Sequence, residues 1–196
     1  MPPRDSFDRE YYDRYYENPR TRAVTPRDIA VLARHVLHYL AYLRIPVNSA
    51  LDLGCGIGLW RGALHELDPG IHYVGVESSD YACGKYDWTR GDITTFKSRT
   101  KFDLVICQSV FQYLPSRSVD LAIENMARLC RGALYLEIVT REDLEANCEH
   151  SGTDPNIHVR SDAWYRRKIK PYFHNCGGGV FIPADSDTVL YSLEYS

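Results

Sequence analysis

Between Ala50 and Glu137, short apolar runs alternate with longer segments whose apolar positions recur every three or four residues. ALDL, HYVGV, FDLVIC and ALYLEIV have strand length, and LWRGALHEL and VDLAIENMARLC have helical spacing. This alternation predicts βαβ units and a parallel sheet. The strand runs are continuously apolar, as strands covered on both faces must be, so helices are expected on both sides, linked by right-handed crossovers. Upstream, Thr25-Pro26 reads as N-cap and first residue of a helix with Ile29, Leu32, Ala33, Val36, Leu37 and Leu40 on one stripe, stopping before Pro46. DREYYDRYYENP, with Tyr11, Tyr12, Tyr15 and Tyr16 at helical spacing, predicts a short amphipathic helix ending at Pro19. Downstream, residues 141–160 are polar and aperiodic, and 161–174 look helical until Pro171. GGGVFI and TVLYSLEY read as two strands of an antiparallel hairpin turning at PADSD.

Composition narrows the function classes. The 196 residues suit one domain, and 23 Lys plus Arg against 26 Asp plus Glu leave a net charge of −3. No global cationic field draws the chain to phosphate backbones or anionic membranes, so nucleic acid is disfavoured as a partner. MPPRDSFDRE lacks the apolar run of a secretory signal, and a cytoplasmic location is expected. The six cysteines form no C-x-x-C pair and read as reduced, mostly buried thiols.

The most informative stretch is Asp52-Leu53-Gly54-Cys55-Gly56-Ile57-Gly58, between a strand and a helix starting near Leu59. Alternate glycines let the backbone turn sharply and approach a ligand at a helix amino terminus. A dinucleotide fingerprint would read G-x-G-x-x-G; here the third glycine comes one residue early and an acid precedes the first. A carboxylate there suits an ammonium-bearing ligand rather than a pyrophosphate. The pattern resembles motif one of the class I S-adenosylmethionine-dependent methyltransferases, and the resemblance continues in order. Glu77 ends HYVGV where that family grips the ribose hydroxyls. Arg90-Gly91-Asp92-Ile93 looks like its adenine motif, with Asp92 accepting from the adenine amino group and the Ile93 backbone touching the base. KFDLVI followed by Cys107-Gln108-Ser109 resembles the fourth strand, and the terminal hairpin resembles the antiparallel seventh strand.

The resemblance implies a three-layer Rossmann-like α/β fold with a seven-stranded, mostly parallel sheet, helices on both faces and S-adenosyl-L-methionine as cofactor. It assigns the cofactor to Asp52, Gly54, Cys55, Gly56, Gly58, Glu77, Ser78, Asp92, Ile93 and Gln108. Only residues 78–87 separate Glu77 from Trp88, so the helix usual there must be short or missing, leaving Ser78 and Tyr81 as candidates to stack on adenine. One domain over 1–196 is expected, with an aromatic lid over 1–24, a cofactor core over 25–140, an acceptor-side loop and helix over 141–175 and a hairpin over 176–196. The implied reaction is in-line methyl transfer to oxygen or nitrogen of a small molecule, mainly by alignment and desolvation.

Acceptor contacts are expected from Gln108, Ser109 and Gln112 after the fourth strand and from Thr140 and Arg141 after the fifth. The lid tyrosines Tyr11, Tyr15 and Tyr16 are expected to contribute, with Arg20 or Arg22 meeting the methionine carboxylate. The same tyrosines would also serve to pack a helix on the sheet. Cys107-Gln108-Ser109-Val110 stands where members acting on base or amide nitrogens carry N-P-P-Y, which argues against that substrate. His150, Asp154 and His158 are candidates to orient the acceptor or remove its proton. Cys148, His174 and Cys176 complete a set of metal-ligand types whose spacing fits no standard site, so no metal is expected. Trp164 and the basic residues from Arg166 to Lys170 read as a solvated helix with one buried aromatic edge, or as a contact for an anionic acceptor. A monomer or homodimer without a membrane segment is expected. The competing functions are methylation of RNA or protein and cofactor binding without turnover.

Overall fold

The computed structural model describes residues 7–146 and 154–191. A first turn of helix, α1 (Arg9–Tyr12), is capped by Asp8, which accepts from the Tyr11 N–H at 3.0 Å. The coil then widens to π geometry over Asp13–Glu17 and stops before Pro19. Helix α2 (Pro26–Tyr42) starts in a reciprocal capping box between Thr25 and Asp28. It buries Ile29, Ala33, Val36 and Leu40, the centre of the expected stripe.

The Rossmann-like core follows as β1 (Ser49–Leu53), α3 (Leu59–Leu67), β2 (His72–Glu77), α4 (Asp80–Tyr86), β3 (Thr89–Arg90), β4 (Phe102–Gln108), α5 (Ser116–Leu129) and β5 (Cys130–Glu137). After α6 (Arg141–Ala146) and α7 (Asp162–Ile169), the chain ends its regular structure in β6 (Phe173–Gly177) and β7 (Val180–Pro183). The seven strands lie in the order β3-β2-β1-β4-β5-β7-β6. Pairings from β3 through β5 are parallel, and β7 is antiparallel to both β5 and β6.

Side chains of successive strand residues point to opposite faces, and both faces are covered. Leu51, Leu53, Val105, Cys107 and Leu134 pack under α5 and α7. Ala50, Leu104, Ile106, Ala133 and Tyr135 pack under α2 and α3. That double burial is why the strand runs are continuously apolar. At the amino ends of the strands, Asp103 accepts from Asn48 N, Ser49 N and Arg131 Nε, tying β1, β4 and β5 together. The strand order reverses between β1 and β4, opening a crevice at the carboxyl ends of those strands.

Two expectations need correction. The hairpin joins Phe173–Gly177 to Val180–Pro183, not GGGVFI to TVLYSLEY. Its turn is Gly178-Gly179, both left-handed (φ 58° and 78°), as the tightest two-residue hairpin requires. Strand β7 has β5 on one side and β6 on the other, so PADSD cannot lead into a strand paired on it; residues 188–191 run without regular structure, and the rest of TVLYSLEY lies outside the described residues. The 161–174 helix accordingly ends at Ile169, ahead of Pro171, and Phe173 and His174 belong to β6. The short helix foreseen after Glu77 is α4, seven residues long.

Candidate active site

Two adjoining cavities open at the carboxyl ends of the parallel strands, sharing Tyr11, Tyr16, Gly54, Gln108, Ser109 and Tyr113 in their walls. The larger, of about 630 Å³, lies over the ends of β1, β4 and β5. The smaller, of about 60 Å³, lies over β2 and β3 against Glu77, Ser78, Gly91 and Ile93.

The loop after β1 shapes both. Gly54 sits at φ 83°, and any Cβ there would collide with Val110 after β4. Gly56 faces the ring of Tyr16, whose hydroxyl lies 3.5 Å from where a Cβ would stand. Gly58 caps α3, and its α-carbon rests against Trp88, whose indole N–H donates to the Gly56 carbonyl at 2.8 Å. Trp88 is therefore a pillar under the glycine loop, and no local pattern in the sequence distinguishes it from a strand-start aromatic.

Two buried carboxylates flank this loop. Asp52, in β1 and 2% exposed, accepts from the Tyr73 hydroxyl at 2.6 Å. Burial pushes its carboxyl up to about 7; the Tyr73 bond opposes the rise and the charge of Glu77 adds to it. Glu77 ends β2 at 6% exposed. Its Oε2 accepts from Gly56 N at 2.9 Å, and its Oε1 from Ser78 N at 2.7 Å and Ser79 N at 3.1 Å. Its first job is to hold the glycine loop in shape. A carboxylate offers about four lone-pair sites, so Oε2 retains capacity for a further donor.

A third carboxylate, absent from the sequence-based selection, completes the floor. Glu137 ends β5 and accepts from Gln108 Nε2 at 3.2 and 3.3 Å, Ser109 Oγ at 3.0 Å and Tyr135 Oη at 3.1 Å. Gln108 is oriented in turn by the Trp60 indole N–H, which donates to its Oε1 at 2.8 Å. Ser109 adopts φ 55°, a costly left-handed conformation for a residue other than glycine, held by its N–H to the Glu137 carbonyl at 2.9 Å. The signal was present in ALYLE, an acid at the end of a buried strand. Trp60 and Tyr73 carry no such signal, because only the packing of α3 and β2 aims them at the site.

The larger cavity brings together Tyr11, Tyr15, Tyr16, Arg22, Asp52, Cys55, Gln108, Ser109, Gln112 and Asp154, all foreseen from sequence. Burial pushes the Cys55 thiol far up, so it is no nucleophile near neutral pH. Tyr11 hydrogen-bonds Tyr113 hydroxyl to hydroxyl at 3.1 Å, which carries the aromatic segment across the cavity mouth. Ser78 and Ile93, expected at the cofactor, border the smaller cavity.

Other selected residues stand elsewhere. Asp92 does not line either cavity; its Oδ1 accepts from Thr94 N and Oγ1, both at 2.7 Å, in a local turn. Thr140 caps α6 with Asp143 instead of facing the chamber. The His158 side chain is exposed, and only its backbone reaches the site, through N–H to the Gln112 carbonyl at 2.7 Å. Trp164 lies against Tyr165, Arg160 and Lys168 at the edge of the α5 core. Arg166 pairs with Asp162, and Lys168 with Asp120. His150 and Cys148 lie outside the described residues. Among the described residues, no group of three His, Cys, Asp or Glu is placed to hold a metal, and no helix is long and apolar enough to cross a membrane.

A family model described as a methyltransferase domain matches residues 51–132, the stretch from β1 into β5 that carries the glycine loop and Glu77. The chain is 31% identical over 88 residues to the trans-aconitate 2-methyltransferase of Azoarcus sp. (strain BH72), covering 40% of this chain and 35% of that protein. The chain thus spans about a third of the length of the curated relative it matches. Its fold is similar to that of DesVI from Streptomyces venezuelae, with a TM-score of 0.63, 17% identity and coverage of 89% of this chain and 98% of that one. It is also similar to the sugar N-methyltransferase KedS8 from Streptoalloteichus sp. ATCC 53650, with a TM-score of 0.51, 25% identity and coverage of 63% and 51%.

Proposed function

We propose that the protein is an S-adenosylmethionine-dependent methyltransferase that transfers methyl to nitrogen or oxygen of a small-molecule acceptor. The observation that carries this reading is the pair of buried carboxylates, Asp52 and Glu77, on either side of a glycine loop at the switch point of the sheet. Their chemistry fits S-adenosylmethionine: Asp52 suits an ammonium, the free lone pair of Glu77 suits a ribose hydroxyl, and Gly56, with no side chain, lets a group lie against the backbone as the Tyr16 ring does. The bound cofactor supplies an activated methyl group on a sulfonium. The chain's own contribution is to hold that group in line with the acceptor, to exclude water with Tyr11, Tyr15 and Tyr16, and to keep the chamber floor rigid through Trp60, Gln108 and Glu137.

Tyr11, Tyr12 and Tyr16 line the cavity beside Glu77, so a ligand that reaches this carboxylate lies against their rings. Thermal unfolding with and without S-adenosylhomocysteine tests the reading, with NADH as control. A ligand at 100 times its Kd stabilises by about 2.7 kcal/mol. Stabilisation by S-adenosylhomocysteine alone is expected; stabilisation by NADH alone would overturn the assignment.

Asp52 adds a pH dependence. Its folded-state pKa is raised to about 7, so its contribution to stability is full below about 4 and is lost as pH rises through 7. Ligand ammonium needs the ionised form, so S-adenosylhomocysteine affinity should rise about tenfold between pH 6 and pH 8 and level off above. Calorimetric titration across that range should show the rise in wild type and a flat, weaker response in Asp52→Asn.

A further inference from the structure

We propose that Tyr73 is a positioning residue of the cofactor site: its hydroxyl, bonded to one carboxylate oxygen of Asp52, keeps that group oriented and charged so that the other oxygen meets the ligand's ammonium. The proposal rests on the methyltransferase reading and adds the residue through which Asp52 is made fit for that contact.

The backbone places the two side chains together. In the register of β1 and β2, Asp52 stands opposite Gly75, and Tyr73, two residues back in β2, projects from the same face. Gly75 has no side chain to separate them. A Cβ there would stand 2.7 Å from Cε3 of Trp88 and 3.0 Å from Sγ of Cys55. Trp88 fills that gap instead, its ring 6.2 Å from the ring of Tyr73 and 4.4 Å from the Arg61 guanidinium. Packed in this way, Tyr73 donates its hydroxyl to Asp52 Oδ2 at 2.6 Å, the length of a charge-assisted bond from O–H to a carboxylate.

Among the described residues this is the one hydrogen bond to the Asp52 side chain, and the ion pairs do not involve it. Oδ1 has no donor among those residues, yet it is not sealed from solvent, and Asp52 lines the larger chamber. One oxygen is held and the other is left for a ligand.

The surroundings explain why the hydroxyl is needed. Burial pushes the Asp52 carboxyl up to about 7, and the charge of Glu77 at the end of β2 acts in the same direction. Cys55 from the glycine loop, Cys107 from β4 and Tyr16 from the aromatic segment are themselves pushed far up by burial and stay neutral near neutral pH. Arg61 of α3 acts on Tyr73 and not on Asp52. Burial also pushes Tyr73 well up, so it remains a donor. Among the described residues, then, it is this hydroxyl and no cation that favours the ionised acid, because a hydrogen bond donated to the charged form stabilises it.

Calorimetric titration of S-adenosylhomocysteine from pH 6 to pH 9 tests the role in wild type and in Tyr73→Phe, which keeps the ring packed on Trp88 and removes only the hydroxyl. Comparing the two proteins at each pH cancels ionisation of the ligand. With the Asp52 midpoint moved up by about one pH unit, the variant is expected to bind about fivefold more weakly at pH 7 and within about twofold of wild type at pH 9. In the double variant Asp52→Asn/Tyr73→Phe, loss of the hydroxyl should remove no affinity beyond that lost in Asp52→Asn, since a residue that acts through Asp52 has nothing left to act on. Equal affinity of wild type and Tyr73→Phe at pH 7, or additive losses in the double variant, would overturn the role. So would a deficit that is the same at every pH, which is the signature of ring packing alone. Failure of S-adenosylhomocysteine to bind wild type at any pH would overturn the methyltransferase reading instead, so the two failures are distinguishable.

Discussion

Replacing Glu77 with alanine is expected to weaken S-adenosylhomocysteine binding by at least tenfold and to lower the stability of the ligand-free protein by about 2–4 kcal/mol. The stability loss arises because Gly56, Ser78 and Ser79 all donate their N–H groups to this carboxylate. Truncation leaves those donors in a site that is nearly closed to water, where an unpaired group costs about 1–3 kcal/mol before relaxation. Motif reading alone predicts a loss of ligand affinity with the fold intact. Glu77→Gln separates the two roles, since its carbonyl oxygen can still accept from part of the loop while the charge is gone. It should recover much of the stability and little of the affinity. Denaturant unfolding paired with calorimetry measures both, and wild-type stability in Glu77→Ala would show that the loop does not hang on this residue.

Gly56→Val is expected to reduce S-adenosylhomocysteine affinity by roughly two orders of magnitude, about 3 kcal/mol. Two physical effects combine. Gly56 sits at φ 54°, where a β-branched residue is strained by about 1–2 kcal/mol. Its side chain would also occupy the space before Tyr16, the face on which the ligand must lie. Gly62→Ala in α3 is the control, because a methyl there meets nothing within 4 Å. It should add roughly 0.5–1 kcal/mol of stability through helix propensity and leave affinity unchanged. Equal affinity in wild type and Gly56→Val would place the ligand elsewhere.

The parts of the site legible in the sequence are those built from the local backbone. The glycine spacing, the acid before it and the acids at strand ends lie where a βαβ unit puts them, because a strand followed by a helix fixes which residues reach the sheet edge. Ile93 and Gln108 follow from the same logic. Asp92 shows its limit: a strand-end acid in a Gly-Asp pair serves equally as a turn cap, and its Oδ1 is spent on Thr94. His158 shows another, since a polar stretch without periodicity does not say which side chains turn inward. The terminal hairpin lies one strand earlier than the apolar runs suggest, because an apolar run cannot reveal that both edges of its neighbour are already paired.

By itself, then, the sequence determined the parallel α/β core, the capped helix before it and the cradle between β1 and α3, since each depends on hydrophobic period, capping residues or glycine conformation within a few positions. Tertiary structure alone decided that Tyr73 reaches Asp52, that Trp88 supports the glycine loop, that Trp60 and Gln108 hold Glu137, and that the aromatic segment closes over the same edge. Those contacts join residues distant in the chain and form only when the sheet order and helix packing bring them within hydrogen-bond reach, so no local pattern encodes them.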